Sequence, residues 1–381
     1  MTTLIGAREA AHLLGVSRPT LYAYVSRRLV SRQVAVDGRT SLYDRVEIEE
    51  LASRSSRRGT PERPSIDVQI TTGVTRLHDE GPTLRGRSLL ELADRHSYEQ
   101  VAELLMTGEL PARPVVWRPE RTRLERARTM CGAGPIDPIA ALSVVAAGLD
   151  DRSGGGCAAS TGRHLLAVAP SLLGGPASGD LATRLSRAWR RSPSPELVYA
   201  VSQALILLAD HELATSTLAV RLAASVRATP AAALATGLNV VGGSLHGAAS
   251  RAAADLFGDA AERGARAAIH DRLDADGRLP GFGHSVYHNG DPRFGPLLRA
   301  VRAVPDADGV GEVVDAVLAE SGRSVGDLPN VDLALGALTF VAHLPTDAPL
   351  FAIARIPGWV AHYDEELTER PLRFRGVAQD R

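Results

Sequence analysis

Three histidines and one aspartate stand in settings suited to acid–base chemistry at a carbonyl. His211 lies in LADHEL, His246 in GGSLHGAAS, His284 in LPGFGHSVYHNGDPRF and Asp332 in LPNVDLALG. Imidazole titrates near neutrality, so small changes in its surroundings make it a donor or an acceptor. Gly242, Gly243 and Gly247 let the chain turn closely around His246, and Gly281 and Gly283 do so around His284. Asp332 precedes an apolar, helix-like run, where partial desolvation lifts a carboxyl toward the pKa of a useful base. Arg293, Arg355 and Arg370 lie close to prolines or glycines in the last third, and guanidinium forks suit paired carboxylates. Singly, each residue has a plain structural reading: a hydrogen-bonding histidine, a helix cap, a surface charge. It is the ordered set that asks for a chemical explanation.

All 43 basic residues are arginine. Arginine stays protonated at any working pH, so Schiff-base chemistry, a lysine general base and a P-loop lysine are excluded. The bias itself reads as genomic base composition. With 381 residues, net charge -1, 44% hydrophobic and 23% charged residues, the chain is expected to form two or three globular domains. The N-terminus shows no secretory pattern, and no run approaches the roughly 20 apolar residues of a membrane span. Cys131 and Cys157 are too few for a disulfide framework or zinc cluster, and the expected compartment is the cytoplasm. A metal centre on His211, Glu212 and His246 lacks helical ligand spacing.

The elements that must position these groups are mostly helical. Ala and Leu dominate the body, and SLLELADRHSYEQVAELLMTG and PELVYAVSQALILLADHELATSTLAVRLAASV carry helical periodicity. Strand-like alternation is scarce after the first 53 residues. There, AREAAHLL predicts a helix, Gly15-Val16 a break, and Ser17 the cap of a second helix with Pro19 in its first turn. QVAVDGRTSLY predicts a hairpin turning at Asp37-Gly38. Asp44 and Glu47 form a capping-box pattern for a third helix. Ten arginines stand against six acidic residues through residue 58. The segment resembles the winged helix-turn-helix of MerR and excisionase-type proteins. That resemblance implies DNA contacts by Arg18, Thr20, Tyr22, Arg27 and Arg28. Residues 54–64, rich in Ser, Arg and Pro, read as a linker.

From about residue 66 onward the chain resembles the citrate synthase family. The motifs that carry the resemblance run in order: Arg85-Gly86 and a GELP turn, LADHELATST, SLHGAAS, GFGHSVYHNGDPR, PNVD, ARIPGWVAHYDEEL and ERPLRFRG. It implies an all-α homodimer, with a large domain over 65–246 and 336–381 and a small one over 247–335. It also implies roles. Asp332 takes a methyl proton from acetyl-CoA, and His246 donates to the thioester oxygen and steadies the enol. The enol carbon attacks oxaloacetate while His284 donates to the carbonyl oxygen, and hydrolysis releases citrate and CoA. His211, Arg293 and Arg355 hold the oxo-acid carboxylates, and Arg370 reaches in from the second subunit. Leu279, Pro280, Gly281, Phe282, Gly283 and His288 meet CoA, which is substrate and product, and no metal or redox cofactor is implied. Against the family pattern, Ser244, Ser250, Ala214, Ser285, His288, Leu333 and Ala334 are departures, which point to an altered pocket or lower activity. Two alternatives stay open: a 2-methylcitrate synthase, and a DNA-binding regulator whose synthase-like body senses a metabolite.

Overall fold

The computed structural model describes residues 4–13, 21, 25, 30–34, 41–48, 70–78, 80–132, 134–149, 157–243, 247, 249–306 and 309–371. Two compact units divide the chain, residues 1–70 and 71–381.

In the first unit, β1 (Leu4–Gly6) leads into α1 (Ala7–Leu13), and β2 (Gln33–Val34) pairs with β3 (Ser41–Asp44). The sheet order is β1-β3-β2, antiparallel throughout, with Val34 opposite Ser41 and Ile5 opposite Tyr43. Ile5, Ala10, Ala11, Leu21, Val30, Tyr43 and Ile48 form a small core of their own. The hairpin follows from its alternating residues. Strand β1, only three residues long, carries no such pattern and was not anticipated. Asp44 accepts the Val46 N–H at 2.9 Å, as a cap should. Glu47 does not complete the expected capping box, because its carboxylate accepts from the backbone N–H and hydroxyl of Ser31. A tertiary partner has displaced the local one. Asp37-Gly38, Arg18, Thr20, Tyr22, Arg27, Arg28 and the 54–64 linker lie outside the described residues.

The second unit opens with a meander absent from the sequence reading: β4 (Thr75–Arg76), β5 (Thr83–Leu84) and β6 (Arg87–Ser88). Two-residue strands are too short to leave an alternation. Helices then follow: α2 (Leu89–Arg95), α3 (Tyr98–Thr107), α4 (Arg121–Cys131), α5 (Pro138–Gly148), α6 (Ala158–Leu172) and α7 (Leu181–Trp189). Next come α8 (Pro195–Leu207), α9 (Thr215–Ser225), α10 (Pro230–Val241), α11 (Ala249–Arg263) and α12 (Ala265–Asp276). The chain closes with α13 (Phe294–Arg302), α14 (Gly311–Ser324), α15 (Val331–Val341) and α16 (Leu350–Leu367). Starts are encoded locally. Ser97 and Gln100 make a reciprocal capping box, while Asp137, Ser194 and Thr229 cap helices whose first residue is proline.

Packing places α16 in the middle, against α3, α6, α8, α9 and α10, while α11 lies along α15 and α13 bridges α8 and α15. Helix α16 is buried almost all round, with Trp359 fully enclosed, so each polar group it carries must find a partner or a purpose. No described helix is long and apolar enough to cross a membrane.

Candidate active site

The loop between α12 and α13 is zipped to the start of α15. The Asn330 N–H donates to Gly281 O at 2.9 Å, and the Gly283 N–H donates to Leu328 O at 2.9 Å. The Asn330 side chain closes the clasp, its amide donating to Gly283 O at 2.7 Å and its oxygen accepting the Asp332 N–H at 2.9 Å. Gly281 is required here. Its φ is +79°, and a Cβ would lie 2.7 Å from that of Leu333. His284 and Asp332, far apart in sequence, are thus held by one asparagine.

The His284 Nδ1 accepts two backbone N–H groups, from Val286 at 3.0 Å and Tyr287 at 3.2 Å. A nitrogen that accepts cannot also carry the proton, so the neutral ring bears it on Nε2, a donor directed away from its own loop. Burial, reinforced by the Arg293 charge, lowers the pKa of His284 and keeps the ring neutral. Asp332 stands in the first turn of α15. Burial raises its pKa and Asp291 adds to the rise, against the opposing pull of Arg293 and Arg355. Desolvation outweighs two cations, the balance expected of a general base.

Arg293 is buried, and its fork closes on Asp291, Nε to Oδ1 at 2.9 Å and Nη2 to Oδ2 at 2.8 Å. Asp291 also accepts the Val331 N–H at 2.9 Å, tying Arg293 to the same helix start. Burial opposes ionisation of Asp291, but the Arg293 contact wins and holds its pKa low. Two of the five Arg293 N–H donors are therefore committed within the chain, fewer being free for a substrate than the sequence reading implied.

His211 lies in the turn between α8 and α9, its ring 5.2 Å from that of His284 and 5.6 Å from Tyr287. Burial first, then Arg293, Arg355 and His284, depress its pKa far below the usual range. Glu212 takes a left-handed φ of 52°, and its N–H donates to Asp210 at 3.2 Å, fixing the turn. Arg355 extends from α16 across the Phe351 ring, 4.8 Å from its centroid, and burial lowers its pKa to about 10. Arg355 acts electrostatically on both Asp332 and His211, so all four elements meet around one locus.

Of the other expected positions, Leu279 is buried, Pro280, Phe282 and Gly283 are half-buried, and His288 is exposed. Arg370 is exposed beyond the end of α16, outside this cluster within one chain. His246 lies outside the described residues. Its neighbour Gly247 is described: a Cβ there would lie 2.2 Å from Val241 O, so the turn after α10 admits only glycine. Sequence reasoning missed Tyr287, Asp291 and Asn330. All three stood inside motifs already quoted, and only their spacing from His284, Arg293 and Asp332 could have exposed them.

The helical architecture and this convergence of carboxylate, imidazoles and arginines define a fold and a class of site. The citrate synthase C-terminal domain model matches residues 66–375, and the chain belongs to the citrate synthase family. A 2-methylcitrate synthase of Mycobacterium tuberculosis is 28% identical over 82% of this chain and 89% of its own. A citrate synthase of Mycolicibacterium smegmatis is 27% identical over 80% and 91%. Among solved structures, the citrate synthase of Thermotoga maritima superposes with TM-score 0.68 at 19% identity, covering 84% of this chain and 95% of that one. The Thermoplasma acidophilum enzyme, in a ternary complex with carboxymethyl coenzyme A and oxaloacetate, gives 0.68 at 22% over 84% and 94%.

Proposed function

We propose that the protein condenses a short acyl-CoA with oxaloacetate, releasing CoA and citrate or an alkylcitrate. The observation that carries this is the Asn330 clasp, which holds a desolvated carboxylate and an Nε2-protonated imidazole on one rigid piece. Asp332 takes a proton from the acyl carbon α to the thioester, and His246 receives the developing enol. His284 Nε2–H meets the oxo-acid carbonyl as it becomes an alkoxide, where a fixed donor is worth most. His211, Arg293 and Arg355 hold the carboxylates, and exposed Arg370 reaches a second copy's site in a homodimer. Residues 279–283 and His288 meet CoA. A large domain of 65–246 and 336–381 closes on a small one of 247–335. Water then hydrolyses the thioester of the condensed product, giving the free carboxylate and CoA as the thiol, and no metal or redox cofactor is called on.

Propionyl-CoA in place of acetyl-CoA is the same reaction with one more methylene, a discrimination of about 1–3 kcal/mol, and both belong to this proposal. The test is release of free CoA from each thioester with oxaloacetate. Asp332→Ala is expected to lower turnover by about 10²–10⁴-fold while the protein stays folded. Absence of turnover with every thioester would refute the reading.

The antiparallel β2–β3 hairpin favours a second role for the first unit: a winged helix-turn-helix contacting DNA through Arg18, Thr20, Tyr22, Arg27 and Arg28. Full-length protein is expected to bind duplex DNA with affinity falling steeply with salt, and Arg27→Ala with Arg28→Ala to weaken it. Salt-independent or absent binding would remove this role.

A further inference from the structure

Among the described residues, four side-chain atoms of the site are fully buried without a hydrogen-bond partner: His211 Nε2, Arg355 Nε, Arg355 Nη1 and Tyr287 Oη. The first three belong to groups already assigned to the oxo acid. Tyr287 does not. Its ring packs against His284 (centroids 4.6 Å apart) and edge-on to His211 (5.6 Å), with the Arg293 guanidinium 5.7 Å from its centroid. Tyr287 and Arg355 act electrostatically on one another. The residue is 5% exposed.

Packing does not account for the hydroxyl. Phenylalanine would fill the same ring position without leaving a polar atom unpaired, and buried tyrosine hydroxyls ordinarily find a partner. The charged groups that act on the phenol are Arg293 first, then the Asp291 and Glu212 carboxyls, then Arg355, with the His211 and His284 rings packed beside it. Burial pushes the phenol to about 12, so it remains an O–H donor throughout the working range. Asp291 is already taken by the Arg293 fork, whereas two Arg355 nitrogens are unbonded like the phenol itself, so an anionic acceptor fits both.

We propose that Tyr287 is a further substrate-binding residue, its hydroxyl donating a hydrogen bond to the oxo-acid carboxylate that Arg355 receives. The inference rests on the condensation reading above and adds to its specificity. Arg355 neutralises the carboxylate, and Tyr287 fixes its orientation beside His284. A 2-oxo acid lacking that carboxylate, such as pyruvate, leaves the hydroxyl unpaired and is rejected.

Tyr287→Phe tests this, since it keeps the ring stack and removes one oxygen. Calorimetric titration with oxaloacetate is expected to show Kd raised about 10–100-fold, the worth of a hydrogen bond to a charged group. The preference for oxaloacetate over pyruvate should shrink by a similar factor, while the ligand-free melting temperature holds or rises. An unchanged Kd, or a lower melting temperature with unchanged Kd, overturns the proposal. Tyr287→Leu provides a second variant, expected to lose affinity at least as strongly. If neither variant folds, the residue is structural and the proposal falls. Wild-type protein that fails to bind oxaloacetate instead defeats the condensation reading, which separates the two failures.

Discussion

Two buried arginines share the core of the second unit and meet opposite fates. Arg221, on α9, is neutralised on arrival. Its Nε donates to Glu366 at 2.9 Å, and Nη1 donates to Glu365 at 2.5 Å and to the Nδ1 of His362. With Nδ1 accepting, the His362 Nε2–H faces Asp210 at 3.2 Å, and Asp210 also accepts from Thr75 at 2.6 Å. Arg355 lies seven residues before His362 on α16, two turns along nearly the same helical face, with Nε and Nη1 unpaired. Helix α16 thus supplies the carboxylates that settle Arg221 within the fold and itself carries Arg355, two nitrogens of which find no partner there. A buried cation that no carboxylate hydrogen-bonds is expensive even with Asp210 and Asp332 acting on it at a distance, and its retention points to function, whereas Arg221, with Nη2 alone unbonded, is held by two carboxylates.

Putting the same residue at both positions breaks the comparison most directly. Arg221→Met removes the guanidinium that Glu366 and Glu365 share, breaking a buried ion pair, and is expected to destabilise by about 3–5 kcal/mol, read by chemical denaturation. Arg355→Met removes a cation without stranding a paired carboxylate. Stability should change little, while oxaloacetate affinity falls by about 10²-fold or more, since loss of a buried charge contact costs roughly 2–5 kcal/mol. Equal destabilisation by both would abolish the distinction.

The pH profile sharpens it. Burial raises the pKa of Asp332, so on its proposed role as the ionised base kcat/KM should climb with pH through a limb above the ordinary aspartate range. Burial keeps His284 neutral across that limb, so no second rise is expected near the usual histidine pKa. Stability runs oppositely: a carboxyl with a raised folded pKa gives up stability as pH rises through that value. Asp332→Asn should therefore flatten the corresponding slope in a pH series of melting temperatures.

The smallest expected effect lies beside the site. Ala214 occupies the N-cap of α9 at φ -55°, ψ 158° and makes no capping bond, where the family pattern has asparagine. Ala214→Asn should stabilise by about 1 kcal/mol, measured by thermal melting, with oxaloacetate affinity unchanged.

Much of this site was legible because its chemistry sits in short strings. LADHEL, GFGHSVYHNGDPR and PNVD single out His211, His284, Arg293 and Asp332, and the helical periodicity of PELVYAVSQALILLADHELATSTLAVRLAASV holds for α8 and α9, which a turn at His211 separates. What stayed hidden depends on distance along the chain. Arg221 and Glu366 are 145 residues apart, and no local pattern says which carboxylate will meet which guanidinium. Glu47 has a sound local reading as the capping-box partner of Asp44, yet Ser31, sixteen residues away, takes its carboxylate. Tyr287 was quoted within a motif and passed over, because an unpaired hydroxyl is a property of surroundings and not of spelling.

The asparagine clasp has a mechanical corollary. Because Asn330 fastens the His284 loop to the first turn of α15, the proposed proton acceptor and proton donor share one support. Under the proposed closure of one lobe on the other, their separation from Arg355 and from the His211 turn, which belong to other helices, would change while their own spacing would not. Such a closure would gather the reagents by relative movement and would spare the pair any realignment at each turnover.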